Sequence, residues 1–262
     1  MLVVVDIGNT NITIGIYKED KLIGNYRLTT KMKRTSDEYG FMILSFLNAS
    51  KVSADEIKDV IVSSVVPKIM HSFLNGIRKY MHKEPIVVGP GIKTGISVKA
   101  ENPKAVGADR IVDCAGAFYE YGGPCLVCDF GTATTYDYVD ANGNFEYGVI
   151  ALGIETSAQA MGDYAAKLPE IEIKKPRSIL NKTTVTSMQA GLVFGYIGQC
   201  EYIIKQFNNE MGDMKVIATG GLGKIIYQNT DEIDIYDRDL PFKGLKYIYN
   251  KYIQDKKRNE KK

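Results

Sequence analysis

Two aspartates each end an apolar run and open a tight loop of the same form. Leu2–Val5 stops at Asp6, and the loop reads Asp6-Ile7-Gly8-Asn9-Thr10. Leu126–Cys128 stops at Asp129, and the loop reads Asp129-Phe130-Gly131-Thr132-Ala133. Glycine lets the backbone come close to a ligand, and Asn9, Thr10, Thr132 and Thr134 add amide, hydroxyl and backbone N–H donors suited to phosphate oxygens. Each aspartate supplies a carboxylate for a hydrated Mg²⁺ or another cation. One Asp-x-Gly alone is an ordinary turn. Two in matching contexts predict a polyphosphate and its metal held from both sides. Asp109, beside Arg110 at a helix start, reads either as a first-turn partner of the helix dipole or as a carboxylate able to take a proton from an alcohol. Arg110 offers a planar fork for carboxylate or phosphate, or an ordinary surface ion pair. Gly220-Gly221-Leu222-Gly223 follows a strand and reads as a third ligand-side turn or as a plain helix start. No G-x-x-x-x-G-K-[ST] is present, and no G-x-G-x-x-G opens a first helix, which excludes a P-loop and a dinucleotide fingerprint.

Such loops must sit at the carboxyl ends of strands, the edge where open α/β sheets place ligands. In the first half the pattern predicts strands at 2–5, 12–17, 21–28, 60–66 and 86–88. A helix capped by Thr35 or Ser36, with Asp37 and Glu38 in its first turn, and another over 69–81 lie between them. The second half repeats the plan, with strands at 126–128, 135–139, 145–150, 215–219 and 233–236 and helices near 157–167 and 185–208. Asn142-Gly143 marks a hairpin turn. A helix over 106–120, restarted after Asn102-Pro103, bridges the halves. The likeness of the halves is one of pattern rather than of sequence. The paired loops resemble those of the actin-like ATPases, which implies an α/β fold class: two ribonuclease-H-like domains, residues 1–113 and 114–262, with a cleft between them.

Composition excludes several classes. The chain has 262 residues, 45% hydrophobic and 24% charged, with a net charge of +2. That leaves no electrostatic footprint for nucleic acid or an anionic membrane. The basic stretch Lys256–Lys262 is expected to be a frayed, solvated terminus. No apolar run approaches the roughly 20 residues of a membrane span, and the N-terminus reads as a strand rather than a signal peptide, so the expected location is the cytoplasm. Cys125 and Cys128 lie three apart in a strand-like run and so point to opposite faces, which argues against a redox pair or zinc site. With Cys114 and Cys200 they are expected to be reduced, mostly buried thiols. His71 and His82 have no ligand-like neighbours and are expected to be structural or surface residues.

Several blocks together resemble the type III pantothenate kinases: D-I-G-N-T-N at Asp6–Asn11, S-S-V-V-P at Ser63–Pro67, V-G-A-D-R at Val106–Arg110, D-F-G-T-A-T-T at Asp129–Thr135, S-M-Q-A-G at Ser187–Gly191 and T-G-G at Thr219–Gly221. They run from the first strand into the last third of the chain, and G-A-D-R beside both loops is specific. The resemblance implies ATP-dependent phosphorylation of pantothenate at its primary hydroxyl, the opening step of coenzyme A synthesis. It implies a homodimer that uses Mg²⁺ with ATP and a monovalent cation, K⁺ or NH₄⁺. By resemblance, Asp109 is the general base, and Ala100, Gly107, Ala108, Asp109 and Arg110 line the pantothenate site. Thr184 joins that site from the dimer partner. Asp6, Ile7, Gly8, Asn9, Thr10, Asn11, Ile12, Thr13 and Thr132 hold the ATP phosphates, with Gly220 and Gly221 against the adenosine. Asp6 holds Mg²⁺ through water and Asp129 the monovalent cation. Two positions depart from the family pattern. Ala100 stands where a tyrosine usually lines the pocket. Leu152 stands where proline is common, and a looser loop is expected there. Competing readings are another kinase or phosphatase of the same fold, such as a sugar kinase, acetate kinase or polyphosphatase, or a regulatory protein that senses ATP.

Overall fold

The computed structural model describes residues 1–259. The chain divides into two compact units, residues 1–120 with 241 onward, and residues 121–240.

The first unit opens with a meander: β1 (Leu2–Ile7), β2 (Asn11–Lys18) and β3 (Lys21–Thr29), followed by α1 (Ser36–Ala49), β4 (Asp59–Ser64), α2 (Pro67–Met81) and β5 (Ile86–Val87). The sheet order is β3-β2-β1-β4-β5, with β1 antiparallel to β2 and parallel to β4. One face carries the core. Val3, Val5, Ile7, Ile12, Ile14, Ile16, Val60 and Val62 pack with Tyr39, Ile43, Leu47, Phe73 and Ile77 of α1 and α2. This follows from alternation, since odd residues of β1 turn to the helices and Leu2, Val4 and Asp6 turn away. Thr35 caps α1 and Glu38 returns the bond to the Thr35 N–H, a reciprocal box that fixes the helix start. After β5 come a short strand β6 (Ser97–Val98) and α3 (Ala108–Tyr121).

The second unit has β7 (Cys125–Phe130), β8 (Ala133–Val139), β9 (Asn144–Leu152), α4 (Ile154–Tyr164), α5 (Thr184–Met211), β10 (Lys215–Thr219), α6 (Gly223–Tyr227) and β11 (Ile235–Tyr236). Its strands run β11-β10-β7-β8-β9. Counted by order of appearance, this is the first unit's arrangement again: third, second, first, fourth, fifth, with the same parallel and antiparallel pairings. Leu126, Cys128, Phe130, Tyr136, Tyr138, Val216 and Ala218 form the core with Leu192, Val193, Ile197, Cys200 and Ile204 of α5. All four cysteines are buried, and burial pushes the Cys125 thiol up to about 12, which suits inert packing rather than reactivity.

The chain's last element was not anticipated. Residues 240–259 form α7, which rejoins the first unit instead of continuing the second. Leu240, Phe242, Leu245, Ile248 and Tyr249 are buried on it at helical spacing. Phe242 reaches 3.1 Å from where a Cβ on Gly15 would stand, Tyr249 Oη donates to Asp59 Oδ2 at 2.5 Å, and Lys246 pairs with Asp20 at 2.6 Å. α3 through Glu120 also belongs to the first unit, so the expected division at 113/114 is not where the compact units part. Lys256–Asn259 continue α7 rather than fray, and their positive charge suits a helix C-terminus. The remainder of that basic stretch lies outside the described residues.

Candidate active site

In the first unit the Asp6 loop is a β-hairpin crossing. Ile7 pairs with Ile12, the Gly8 N–H donates to Asn11 O at 3.0 Å, and Asn9 is exposed. Thr30, just past β3, pins the loop twice. Its N–H donates to Thr10 O at 2.9 Å and its Oγ1 to Gly8 O at 2.8 Å. In the second unit the Gly131 N–H donates to Ala133 O at 3.1 Å. Gly153, just past β9, donates its N–H to Thr132 O at 3.1 Å, and Thr156 Oγ1 donates to the same oxygen at 2.8 Å. The two loops are therefore built alike, by the residue that follows the third strand, although the first is one residue longer. Leu152 does not loosen the second loop. It ends β9 in register with Ala133, and its carbonyl accepts from Tyr196 Oη at 2.8 Å.

The aspartates share a setting as well. Asp6 pairs with Thr13 on β2 and Ser63 on β4. Asp129 pairs with Thr135 on β8 and Thr219 on β10. Paired residues on neighbouring strands turn the same way, so each carboxylate is flanked by two hydroxyl side chains. Ser63 and Thr219 open two of the family blocks, S-S-V-V-P and T-G-G, but nothing local in the sequence places either beside an aspartate, because that depends on which strands pair. The Asp129 carboxylate lies in a cradle of glycines. A Cβ on Gly131 would stand 3.4 Å from Oδ2, and one on Gly220 2.5 Å from Oδ1 and 2.6 Å from Phe130 O. Gly220 has φ +88°, open to glycine at no cost. Tyr236 Oη donates to Gly220 O at 2.9 Å and holds the turn. Gly221 is exposed beside it.

Asp109 lies in the first unit, half-buried in the first turn of α3. Its Oδ1 accepts the Arg110 N–H at 2.8 Å. Burial pushes its carboxyl above the usual range, against the opposing pull of the Arg110 N–H and guanidinium. Gly107 leaves room for it, since a Cβ there would overlap Asp109 Oδ1 and stand 3.4 Å from Val65 Cγ1. The Val65 N–H in turn donates to Ile7 O at 3.1 Å. Val65, one residue after β4, is thus bonded to the end of β1 and lies behind the space that Gly107 leaves open. Gly107, Ala108 and Arg110 are half-buried, as is Ala100. Thr184, in the second unit, is exposed at the start of α5, where Thr183 caps the helix by accepting the Thr186 N–H. It lines a cavity of about 550 Å³ with Met161, Leu168, Lys182, Ser187 and Met188.

Among the described residues no three His, Cys, Asp or Glu side chains converge as a cation cage. Mg²⁺ usually keeps several waters and takes one or two carboxylates plus substrate phosphates, a demand that the single Asp6 carboxylate between Thr13 and Ser63 can meet. A single carboxylate cradled by glycines fits a singly charged cation.

The family model for type III pantothenate kinase matches residues 2–206. A type III pantothenate kinase from Agathobacter rectalis is 55% identical over 253 residues, covering 96% of this chain and 97% of that protein. One from Bifidobacterium longum subsp. infantis is 52% identical over 255 residues, covering 97% of this chain and all of its own length. Among solved structures, a proposed Baf family transcriptional activator from Campylobacter jejuni aligns over 95% of this chain and 98% of its own, with TM-score 0.60 and 20% identity. A proposed 2-dehydro-3-deoxygalactonokinase from Sinorhizobium meliloti aligns over 95% and 96%, with TM-score 0.55 and 12% identity. These two likenesses speak to the two-domain actin-like fold alone. The doubled sheet, the paired Asp-x-Gly loops and the sequence match through G-A-D-R make the chain a member of the type III pantothenate kinase family.

Proposed function

We propose that this enzyme transfers the γ-phosphoryl group of ATP to the primary hydroxyl of pantothenate, the opening step of coenzyme A synthesis. The observation that carries the reading is Asp109, a partly desolvated carboxylate with a raised pKa at a helix start, given its place by Gly107. Phosphoryl transfer asks a protein for positioning and charge neutralisation rather than covalent chemistry. Asp109 accepts the hydroxyl proton on a carboxylate oxygen as the alcohol attacks phosphorus. Its raised basicity brings it nearer the working pH, which favours general base catalysis. Arg110 offers its guanidinium to the pantothenate carboxylate, and Gly107, Ala108 and Ala100 line the same site. The Asp6–Thr13 hairpin and Thr132 hold the ATP phosphates, with Gly220 and Gly221 at the adenosine. Asp6 would hold Mg²⁺ through water, where the ion would supply neutralisation of phosphate charge, and Asp129 would hold K⁺ or NH₄⁺.

The active form is a homodimer in which Thr184 reaches the partner's pantothenate site. The second unit exposes apolar residues that support this: Tyr147, Ile150 and Leu152 on β9 are each more than half exposed, and Tyr202 on α5 is 65% exposed. Among the described residues no helix is long and apolar enough to cross a membrane.

The test is ADP release by the purified protein with ATP and Mg²⁺. Release is expected only when pantothenate is added, and more of it in KCl than in NaCl. ADP release that ignores pantothenate, or none with it, refutes the reading.

A further inference from the structure

The geometry points to Thr219 as a second protein ligand of the monovalent cation at Asp129, acting through its hydroxyl. This rests on the reading of Asp129 as that cation's carboxylate. Thr219 ends β10 in parallel register with Asp129 on β7. On β7 the residues Leu126, Cys128 and Phe130 face the α5 core, as Val216 and Ala218 do on β10. By alternation Asp129 and Thr219 therefore share the opposite face. The Asp129 carboxylate leans toward β10, because its Oδ1 is the atom nearest the Cβ position of Gly220, the residue next to Thr219. Thr219 is 1% exposed, and its Oγ1 has no hydrogen-bond partner among the described residues.

A buried hydroxyl without a partner is costly, and valine would fit a strand at least as well. A neutral oxygen donor beside a carboxylate is what a weakly hydrated, singly charged cation needs to replace part of its water shell. Thr135 on β8 adds a hydroxyl in register on the other side of Asp129. The first unit repeats the arrangement at Asp6, where Ser63 is fully buried on β4 and its Oγ is likewise without a partner. The recurrence, on strands of unlike sequence, ties the buried hydroxyl to the loop aspartate rather than to local packing.

The experiment titrates KCl against tetramethylammonium chloride at constant ionic strength. It follows the melting temperature without ATP or pantothenate and, separately, the rate of ADP release. The parent is expected to gain stability specifically from K⁺. Thr219→Val should raise the K⁺ concentration for half-maximal stabilisation and half-maximal activation by about tenfold or more, the order expected for losing a bond to a charged partner. Thr219→Ser keeps the oxygen and should titrate like the parent, which a purely structural role for the threonine methyl would not allow. A Thr219→Val protein that titrates like the parent overturns the assignment of Thr219 while leaving Asp129 standing. A parent with no K⁺-specific response in either readout overturns the cation reading and this assignment with it.

Discussion

Gly107→Ala is expected to disable the proton acceptor while leaving the fold intact. Gly107 is not among the glycines with positive φ, so alanine brings no backbone strain. Its Cβ would, however, overlap Asp109 Oδ1, with Val65 Cγ1 behind it at 3.4 Å. Val65 is tied to β1 through Ile7 O, so the carboxylate is what gives way. It must retreat by about an ångström to reach an ordinary contact, and the 2.8 Å bond from the Arg110 N–H stretches or breaks. A misplacement near 1 Å costs roughly 10²-fold in rate, which is about 2.7 kcal/mol of transition-state stabilisation. Outright loss of a general base costs about 10²–10⁴-fold. The expected result is therefore a kcat lowered by about 10²-fold, an unchanged KM for ATP and a urea midpoint close to the parent's. Steady-state ADP release and equilibrium unfolding measure these. The sharper check is Gly107→Ala combined with Asp109→Asn. If the methyl acts through the carboxylate, the double variant is no slower than Asp109→Asn alone, because residues acting as a unit are not additive. Losses that simply multiply would refute the reasoning, as would Gly107→Ala with parental kcat.

Asp109→Asn should nearly abolish turnover yet melt higher than the parent at neutral pH. A carboxyl raised by burial favours folding only while protonated, so its contribution is present below the unfolded pKa and lost as pH rises through the folded one. The parent's kcat/KM should fall on the acid side as that same group protonates, at a pH above the ordinary aspartate value, and a profile flat through this region counts against Asp109 as base. Asp129→Ala should be inactive or indifferent to exchanging K⁺ for Na⁺, whereas the parent should lose activity in Na⁺; equal parental rates in both salts speak against the cation assignment. Ala100→Tyr should lower KM for pantothenate by roughly five- to thirtyfold, the equivalent of about 1–2 kcal/mol, and leave KM for ATP alone. A rise in KM would mean the space is already filled, and no change in either constant would mean position 100 faces away from the pocket.

The parts of the fold written in consecutive residues were legible, and those that depend on pairing were not. Leu2–Val5 and Leu126–Cys128 announce buried strands because both of their faces are apolar, and Asp-x-Gly announces the turn that ends them. Helix α7 carries a readable signal in Leu240, Phe242, Leu245, Ile248 and Tyr249, but nothing local says that it returns to the first unit. That return follows from the sheet's second face. Val4 and Asp6 turn away from α1 and α2, and Gly15 leaves the gap that Phe242 fills. A boundary drawn along the chain cannot anticipate an element that completes a layer begun more than two hundred residues earlier. The same limit hid where Ser63, Thr219, Thr30 and Thr156 stand in the fold. Each is a plain hydroxyl residue in sequence, and each gains its meaning when a neighbouring strand or loop puts it against an aspartate or a loop carbonyl. The duplication makes this more than coincidence. The two units agree in strand order, in the residue that ties each loop and in the hydroxyls that flank each carboxylate, yet they share almost no sequence beyond Asp-x-Gly. What recurs is the set of positions from which a strand end can present an anion to a cation. Residue type at those positions is a small hydroxyl in both units, while the apolar residues behind them differ in kind between the units and fill the core in each.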